Sequence, residues 1–358
     1  MEEYKILTIN PGSTSTKIAV YHNTKSIFLK NIKHSSENLK DFEKIADQFH
    51  FRKDVILNEL KEADIEIEQI TGVVGRGGLV KPIESGVYEV NERMKEDLKD
   101  SPLGEHASNL GGLIASDIAE SLPNSRAFIA DPVVVDEMED VARVAGHPEF
   151  KRVSIFHALN QKAIARAHAN SIDKKYEDLN LIVAHLGGGI SVGAHQKGKV
   201  IDVNNALDGD GPFSPERSGS LPVGQLAKMC FSGKYSLDEI KKKIKGNGGF
   251  VAYLGTNDAY DVEMMVRDGN KEAKLIQDAL AYQVSKEIAS CAAVLEGKVD
   301  GILVTGGMAH NSMIIEYIKS KVEFIANVTA YPGEDEMKAL AVNGLRVLKG
   351  EETPKIYQ

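Results

Sequence analysis

Residues 181–203 read LIVAHLGGGISVGAHQKGKVIDV, and the order of their elements decides the fold. An apolar strand, LIVAH, enters the glycine loop Gly187-Gly188-Gly189. A second strand, ISVGAH, follows and turns at QKGK into a third, VIDV. The same order opens the chain, where Tyr4–Lys17 reads YKILTINPGSTSTK. There a strand over Lys5–Asn10 is followed by a Gly-Ser-Thr loop and a strand over Thr16–Tyr21. His22–Lys25 then turn into a strand around Ser26–Ile32. Asn10 and His185 are equivalent points half a chain apart. Three elements repeated in order point to a duplicated fold rather than two unrelated hairpins.

Helices fill the intervals. Leu39–Leu60 and Glu105–Ser121 carry apolar residues at three- and four-residue spacing. Asn270–Leu295 is the longest, with a stripe of Leu275, Ala279, Tyr282 or Val284, Ile288, Ala292 and Leu295, and Gly297 placed to end it. Further strands are expected at Arg126–Ala130, Gly301–Thr305 and Glu323–Asn327. Strands and helices mixed in both halves make an α/β protein with helices covering its sheets.

At 358 residues the chain has room for two domains. A net charge of −9 and the lack of a domain-scale basic surface argue against nucleic acid as a partner. The densest basic run, Lys241–Lys245, reads as a solvated helix end. No apolar run approaches the ~20 residues of a membrane helix, and the early first strand leaves no room for a signal peptide. Cys230 and Cys291 lie in apolar contexts, MCF and SCAAV, and are expected to be buried thiols in a reducing, cytoplasmic compartment.

Both glycine loops suit phosphate, because converging backbone N–H groups bind anions and glycine permits close approach. In the first loop Gly12 opens a tight turn, Ser13, Thr14 and Ser15 bring hydroxyls, and Lys17 adds charge. It is not a P-loop: GxxxxGK[ST] is absent, and a strand follows the loop. Taken alone, such a turn is more often a plain hairpin. Gly187, Gly188 and Gly189 shift that balance. A third glycine site, Gly306-Gly307-Met308, joins a buried-type strand to a helix that Asn311 or Ser312 can cap, and can receive a flat adenosine.

With INPGSTSTK, VVGRGG, FIADP, SIFHALNQ, AHLGGGISV, ERSGSLP, VTGGMAHNS and GEDEMKALA in this order, the chain resembles the acetate and butyrate kinase (acetokinase) family over nearly its full length. That family belongs to the superfamily of sugar kinases, heat-shock chaperone ATPases and actin. In detail the chain resembles the butyrate members more than the acetate members. The resemblance implies a duplicated two-domain actin-like (ribonuclease H-like) fold with a central nucleotide cleft. Residues 1–154 and 336–358 would form the acyl-substrate side, and 155–335 an inserted nucleotide-binding domain. It implies reversible phosphoryl transfer between ATP and a short-chain carboxylate, giving ADP and an acyl phosphate, with Mg²⁺ on the phosphates and a homo-oligomeric state.

Residue roles follow from the same resemblance. Arg76 matches the arginine on the substrate carboxylate, and Arg217 a second arginine at the transferring phosphoryl group. His157 and His185 match histidines near that group. Asp131 matches an aspartate assigned to positioning or acid/base work, and Asn10 and Glu336 match the magnesium side, with Glu334 as the alternative. Gly187–Gly189 and Gly307–Asn311 match the phosphate and adenosine segments. Blander roles stand beside these: a strand-end histidine is often simply hydrogen-bonded in place, and Asp131 before Pro132 can start a turn.

The departures are informative. The acetate enzymes carry Asp-Phe-Arg near adenine, whereas this chain has Asp258-Ala259-Tyr260, so Tyr260 would stack where an arginine is missing. Gln161 stands where those enzymes have a second histidine, and Gly78 where they place a valine that walls off a methyl pocket. Space at Gly78 would admit extra methylenes, each worth ~0.8 kcal/mol when buried. That favours butyrate or a branched four-carbon acid, with Phe156 and Pro212 as the remaining apolar wall. Acetate or propionate is the alternative substrate. A sugar kinase needs a polar pocket and an aspartate base rather than Arg76 between glycines, and an actin-like or chaperone-like ATPase needs a filament surface or a peptide-binding domain, for the latter of which no segment is left over.

Overall fold

The computed structural model describes residues 3–102 and 104–358. The chain forms two compact units. One runs to Val135 and resumes at Asp335–Gln358, and the other is Asp136–Glu334.

The first unit is built on a seven-stranded mixed sheet. Its strands are β1 (Lys5–Pro11), β2 (Ser15–His22), β3 (Lys25–Lys33), β4 (Ile70–Arg76), β5 (Val87–Glu89), β6 (Arg126–Ala130) and, later in the chain, β12 (Lys355–Ile356), in the order β12-β5-β6-β4-β1-β2-β3. β1, β2 and β3 pair antiparallel, whereas β4 joins β1, and β6 joins β4, in parallel. Parallel strands need a crossover, and the helix Asn109–Glu120, buried over most of its length, supplies the one between β4 and β6.

The second unit repeats this plan with five strands: β7 (Asn180–Leu186), β8 (Ile190–Gln196), β9 (Lys199–Val203), β10 (Gly301–Gly306) and β11 (Val328–Pro332), in the order β11-β10-β7-β8-β9. Again the first three pair antiparallel, and β10 and β11 add in parallel. Asn10 lies opposite Lys17 and His185 opposite Ser191 at matching ends of the two hairpins. The duplication expected from residues 4–32 and 181–203 is therefore present strand by strand.

The core of the second unit packs β7, β8 and β10 against the helices Lys271–Val294 and Ser312–Val322. Asn270 caps the long helix, accepting the N–H groups of Glu272 and Ala273, and Gly297 follows it at φ +72°. Its buried face runs through Ile276, Leu280, Val284 and Ile288; of the alternatives Tyr282 and Val284 it is Val284 that is buried, while Leu275, expected on the stripe, points outward.

Other boundaries also differ from expectation. Regular helix begins at Phe49, not Leu39, because local bonds such as Lys44 N–H to Asp47 keep the preceding residues in short turns. The helix expected over Glu105–Ser121 begins at Asn109, after a turn held by the His106 ring and Ser108, and a further helix, Glu92–Asp100, precedes it. Glu323–Asn327 is the turn closing the Ser312–Val322 helix, and the strand starts at Val328. Residues 136–154 belong with the second unit, joined to it by Arg152–Asp202, Glu137–Lys162 and Glu139 N–H to the Ile201 carbonyl. The sequence reading had placed the division at 154/155. Cys291 is buried, but Cys230 is exposed, since the helix Val223–Cys230 buries none of its residues.

Candidate functional site

In the first unit, β1 ends at the loop Gly12-Ser13-Thr14 and β4 ends at Arg76. Arg76 Nη1 donates to Glu336 Oε2 at 2.9 Å and to Asn10 Oδ1 at 3.3 Å, and Asn10 Nδ2 donates to the same carboxylate oxygen at 2.5 Å. Glu336 opens the helix Glu336–Leu348, where the helix dipole favours a carboxylate. Asn10, Arg76 and Glu336, three residues singled out by sequence, thus form one cluster.

Glu334 is engaged elsewhere, by His185 within the second unit. Among the described residues no three His, Cys, Asp or Glu side chains converge as a cation cage. An amide oxygen and one carboxylate nevertheless suit a magnesium ion that draws its other ligands from phosphate and water.

Asp131 is buried at φ +39°, a backbone conformation uncommon outside glycine. Its Oδ1 accepts the Gly86 N–H at 2.8 Å, and its own N–H reaches the Gly86 carbonyl at 3.1 Å. A strained, buried aspartate is a functional candidate, and here the turn it clamps is part of the same observation.

Gly78 requires a correction. A Cβ there would lie 2.4 Å from Asn109 Oδ1 and 2.6 Å from Asn109 Cα. The position is glycine because the start of the Asn109–Glu120 helix fills that space, not because a methylene pocket opens there.

The sequence reading missed Arg52. Buried in the helix Phe49–Glu62, its guanidinium donates to the carbonyls of Gly12, Ser13 and Ser15 and to Thr16 Oγ1, with Gln48 Oε1 taking further bonds. Burial pulls its pKa down to about 10. The adjacent His34 ring, bonded to Thr16 Oγ1 at 2.8 Å, falls to about 4 through burial and then the nearby Arg52 charge. Ser13 and Thr14 remain exposed at the loop tip.

In the second unit, the loop Gly187–Gly189 occupies the equivalent place between β7 and β8. His185 Nε2 lies 3.2 Å from Glu334 Oε2. Its ring stacks on His157 with centroids 4.0 Å apart and planes 22° from parallel. Ser214 Oγ donates to the Gly188 carbonyl at 2.6 Å.

Arg217 lies across Gly189. A Cβ on that glycine would stand 2.0 Å from Arg217 Nη1, so only glycine admits the guanidinium. Nη1 donates to the Ala206 carbonyl at 2.5 Å, and burial lowers the Arg217 pKa from its ordinary value. Arg217 Nε and His185 Nδ1 are buried with no partner among the described residues. Two buried donors or acceptors beside a glycine loop are the arrangement an anion would complete.

The remaining candidates divide. Gly307 has open space above its Cα, whereas Gly306, at φ +95°, is pressed against Leu186. Met308 and Asn311 are buried. The Asn311 amide caps the following helix through Met313 N–H and Ile314 N–H and donates to Gln277 Oε1, which settles the capping residue. Asp258 caps its own helix through Tyr260 N–H, and Tyr260 is exposed. Phe156 and Pro212 are buried, and Lys17 is half-buried on β2.

The acetokinase family profile matches residues 150–341. Butyrate kinase 2 of Clostridium acetobutylicum is 60% identical over 356 residues, covering 99% of this chain and all of that protein. Butyrate kinase 1 of the same organism is 56% identical over 355 residues, with 99% and 100% coverage. Among solved structures, the acetate kinase of Porphyromonas gingivalis superposes with a TM-score of 0.78 at 20% identity, over 96% of this chain and all of that one. This likeness extends to the whole duplicated, actin-like architecture. Profile, full-length identity and fold agree, and the chain belongs to the acetokinase family.

Proposed function

We propose that the protein phosphorylates butyrate reversibly with ATP, giving butyryl phosphate and ADP. Sixty per cent identity to a butyrate kinase over essentially the whole of both chains carries this reading. A carboxylate oxygen attacks the γ-phosphorus. The bond from that phosphorus to the β–γ bridging oxygen breaks, and ADP leaves with the electron pair. The nucleophile is already ionised at neutral pH, so no base is required. The work left to the protein is positioning and charge stabilisation.

In this reading Arg76 holds the acid's carboxylate. Arg217, fixed over Gly189, donates to the equatorial oxygens of the transferring phosphoryl group, with His157 and His185 beside it. Preorganised donors of this kind gain strength in a dry site and need no rearrangement as charge develops. The two glycine loops hold nucleotide phosphates through backbone N–H groups, and the Gly306–Asn311 segment takes the adenosine, chiefly by its backbone at Gly307. Asn10 and Glu336 would hold magnesium, which when bound neutralises phosphate charge. Asp131 keeps the Gly86 turn, and with it the approach to the acid, in one conformation. The unit containing Arg76 takes the acyl substrate, and Asp136–Glu334 takes the nucleotide.

Hydroxylamine trapping of acyl phosphate, with Mg-ATP and acids from acetate to valerate, tests the proposal. A maximum at the four-carbon acids is expected. A maximum at acetate or propionate would keep the phosphotransferase and move its substrate. No trapped product from a folded enzyme would overturn the reaction itself.

A further inference from the structure

His157 sits at the head of a buried hydrogen-bond chain inside the second unit. Its Nδ1 lies 2.8 Å from Ser191 Oγ. Gln161 Nε2 donates to that same Oγ at 2.8 Å and to the Ser191 carbonyl at 3.1 Å. Gln161 Oε1 lies 2.9 Å from His195 Nε2, and His195 Nδ1 lies 2.7 Å from the Tyr176 hydroxyl. Ser191, Gln161 and His195 are all fully buried.

The proton positions follow from which atoms can only accept. The Ser191 carbonyl accepts and never donates, so the nitrogen of the Gln161 amide must face it, and Oε1 must face His195. His195 Nε2 then carries the hydrogen. The ring is neutral, its pKa pushed down to about 3, first by burial and then by the Lys162 charge. Glu137, paired with Lys162 at 2.6 Å, opposes that shift, and Arg166 adds to it. Nδ1 of His195 is therefore bare and accepts from Tyr176. Ser191 Oγ accepts from Gln161 Nε2 and, at 3.4 Å, from the His157 backbone N–H, which takes both of its lone pairs, so its own hydrogen is directed at His157 Nδ1.

We propose that Ser191, Gln161 and His195 are positioning residues that hold His157 as the neutral tautomer, with its hydrogen on Nε2, so that it donates to the phosphoryl group. Two further observations agree. His157 is the N-cap of the 14-residue helix Ala158–Ser171, whose positive end disfavours an imidazolium. It also stacks on His185, the ring that has the Glu334 carboxylate as partner, and two stacked imidazoles do not both carry charge at low cost. The sequence is arranged for the chain: His157 and Gln161 share a helix face, and Ser191, Gly193 and His195 share one face of β8. Gly193 makes room, since a Cβ there would come 2.7 Å from Gln161 Oε1.

The inference deepens the proposed catalytic role of His157, and its test separates the two. In ¹⁵N-histidine-labelled full-length enzyme near pH 8, His157 should show a bare, pyridine-like Nδ1 and a pyrrole-like Nε2. Ser191→Ala should average the two shifts and lower kcat about tenfold, the loss of one oriented hydrogen bond, with both KM values within about twofold. Gln161→Glu should reverse the tautomer, because the Ser191 hydroxyl then donates to the carboxylate and Oγ accepts from His157 Nδ1. Its spectrum serves if Ser191→Ala does not fold. A hydrogen on Nδ1 in the wild type, or shifts unchanged in both variants, overturns the relay. Predicted shifts together with full activity of His157→Ala would leave the relay standing and remove the catalytic role.

Discussion

Arg52→Lys keeps a positive charge behind the first glycine loop and removes the guanidinium fork. The fork reaches five acceptor atoms: the carbonyl oxygens of Gly12, Ser13 and Ser15, Thr16 Oγ1 and Gln48 Oε1, at 2.8–3.2 Å. A trans peptide is planar, so carbonyls of Gly12 and Ser13 turned toward Arg52 direct the N–H groups of Ser13 and Thr14 the opposite way. Those are the donors a phosphate would meet. An ammonium has three donors and cannot span the same set, so at least two of the five acceptors lose their bond to a charged donor. At about 1.5 kcal/mol for each lost hydrogen bond to a charged donor, the variant should lose about 3 kcal/mol of stability. For a unit of this size that lowers Tm by roughly 6–12 °C. Calorimetry reads this loss, and steady-state kinetics at saturating acid should show KM for ATP raised by about tenfold, or 1.4 kcal/mol. KM for the acid should hardly move. An unchanged Tm would refute the hydrogen-bond argument. A lowered Tm with wild-type KM for ATP would confine Arg52 to the core and detach the first loop from the nucleotide.

Three further expectations come from the same structure. Gly189→Ala displaces the Arg217 guanidinium, because its Cβ would stand 2.0 Å from Nη1; kcat should fall by roughly 10²–10³ with the fold intact by circular dichroism, and full activity would remove Arg217 from the chemistry. Gly78→Val should lower Tm and folded yield rather than redirect acid preference, since Asn109 occupies the space; a stable variant shifted toward acetate would restore the pocket reading. Acid should destabilise the protein through His34 and His195, whose pKa values are depressed to about 4 and about 3. Unfolded histidines protonate near pH 6.5, so between there and pH 4 the unfolded chain holds more protons. Stability is therefore full above about pH 6.5 and falls by up to about 1.4 kcal/mol per pH unit for each ring below it. Thermal midpoints at constant ionic strength that stay flat from pH 6.5 to 5 would contradict this.

What the sequence made legible was what adjacent residues determine. The hairpins β1–β2–β3 and β7–β8–β9 announce themselves through apolar runs broken by Gly, Asn and Lys turns. The long helix is bounded within a residue, because Asn270 and Gly297 are local signals. Arg76, Asn10 and Glu336 were named from motifs, yet their convergence joins residues up to 326 positions apart and needed the fold. Arg52 carried no signal, since its loop partners lie 36 to 40 residues earlier and a charged residue inside an amphipathic helix reads as surface. The Ser191 chain left a partial trace: Ser191 and His195, two positions either side of Gly193, are polar breaks on one face of an otherwise apolar strand. Burial was read least well, as Cys230 and Leu275 show, because neighbouring elements decide it rather than the residue's own polarity.

Gly78 shows how a family comparison and a local geometry can give opposite reasons for the same residue. Compared with a valine in the acetate enzymes, glycine reads as room for a longer acid. In this chain its Cα faces Asn109, the first residue of its helix, whose Oδ1 accepts the Leu79 N–H at 2.8 Å and whose Nδ2 donates to Ser101 Oγ and the Gly104 carbonyl. The glycine, the loop before the Asn109–Glu120 helix and the turn after Arg76 are thus one construction. A valine in its place would require another helix start. Acid preference then resides in side chains that line the acid itself. The missing methyl groups at Gly78 let the turn after the Arg76 strand end and the helix start come together, while the guanidinium itself is held by Asn10 and Glu336.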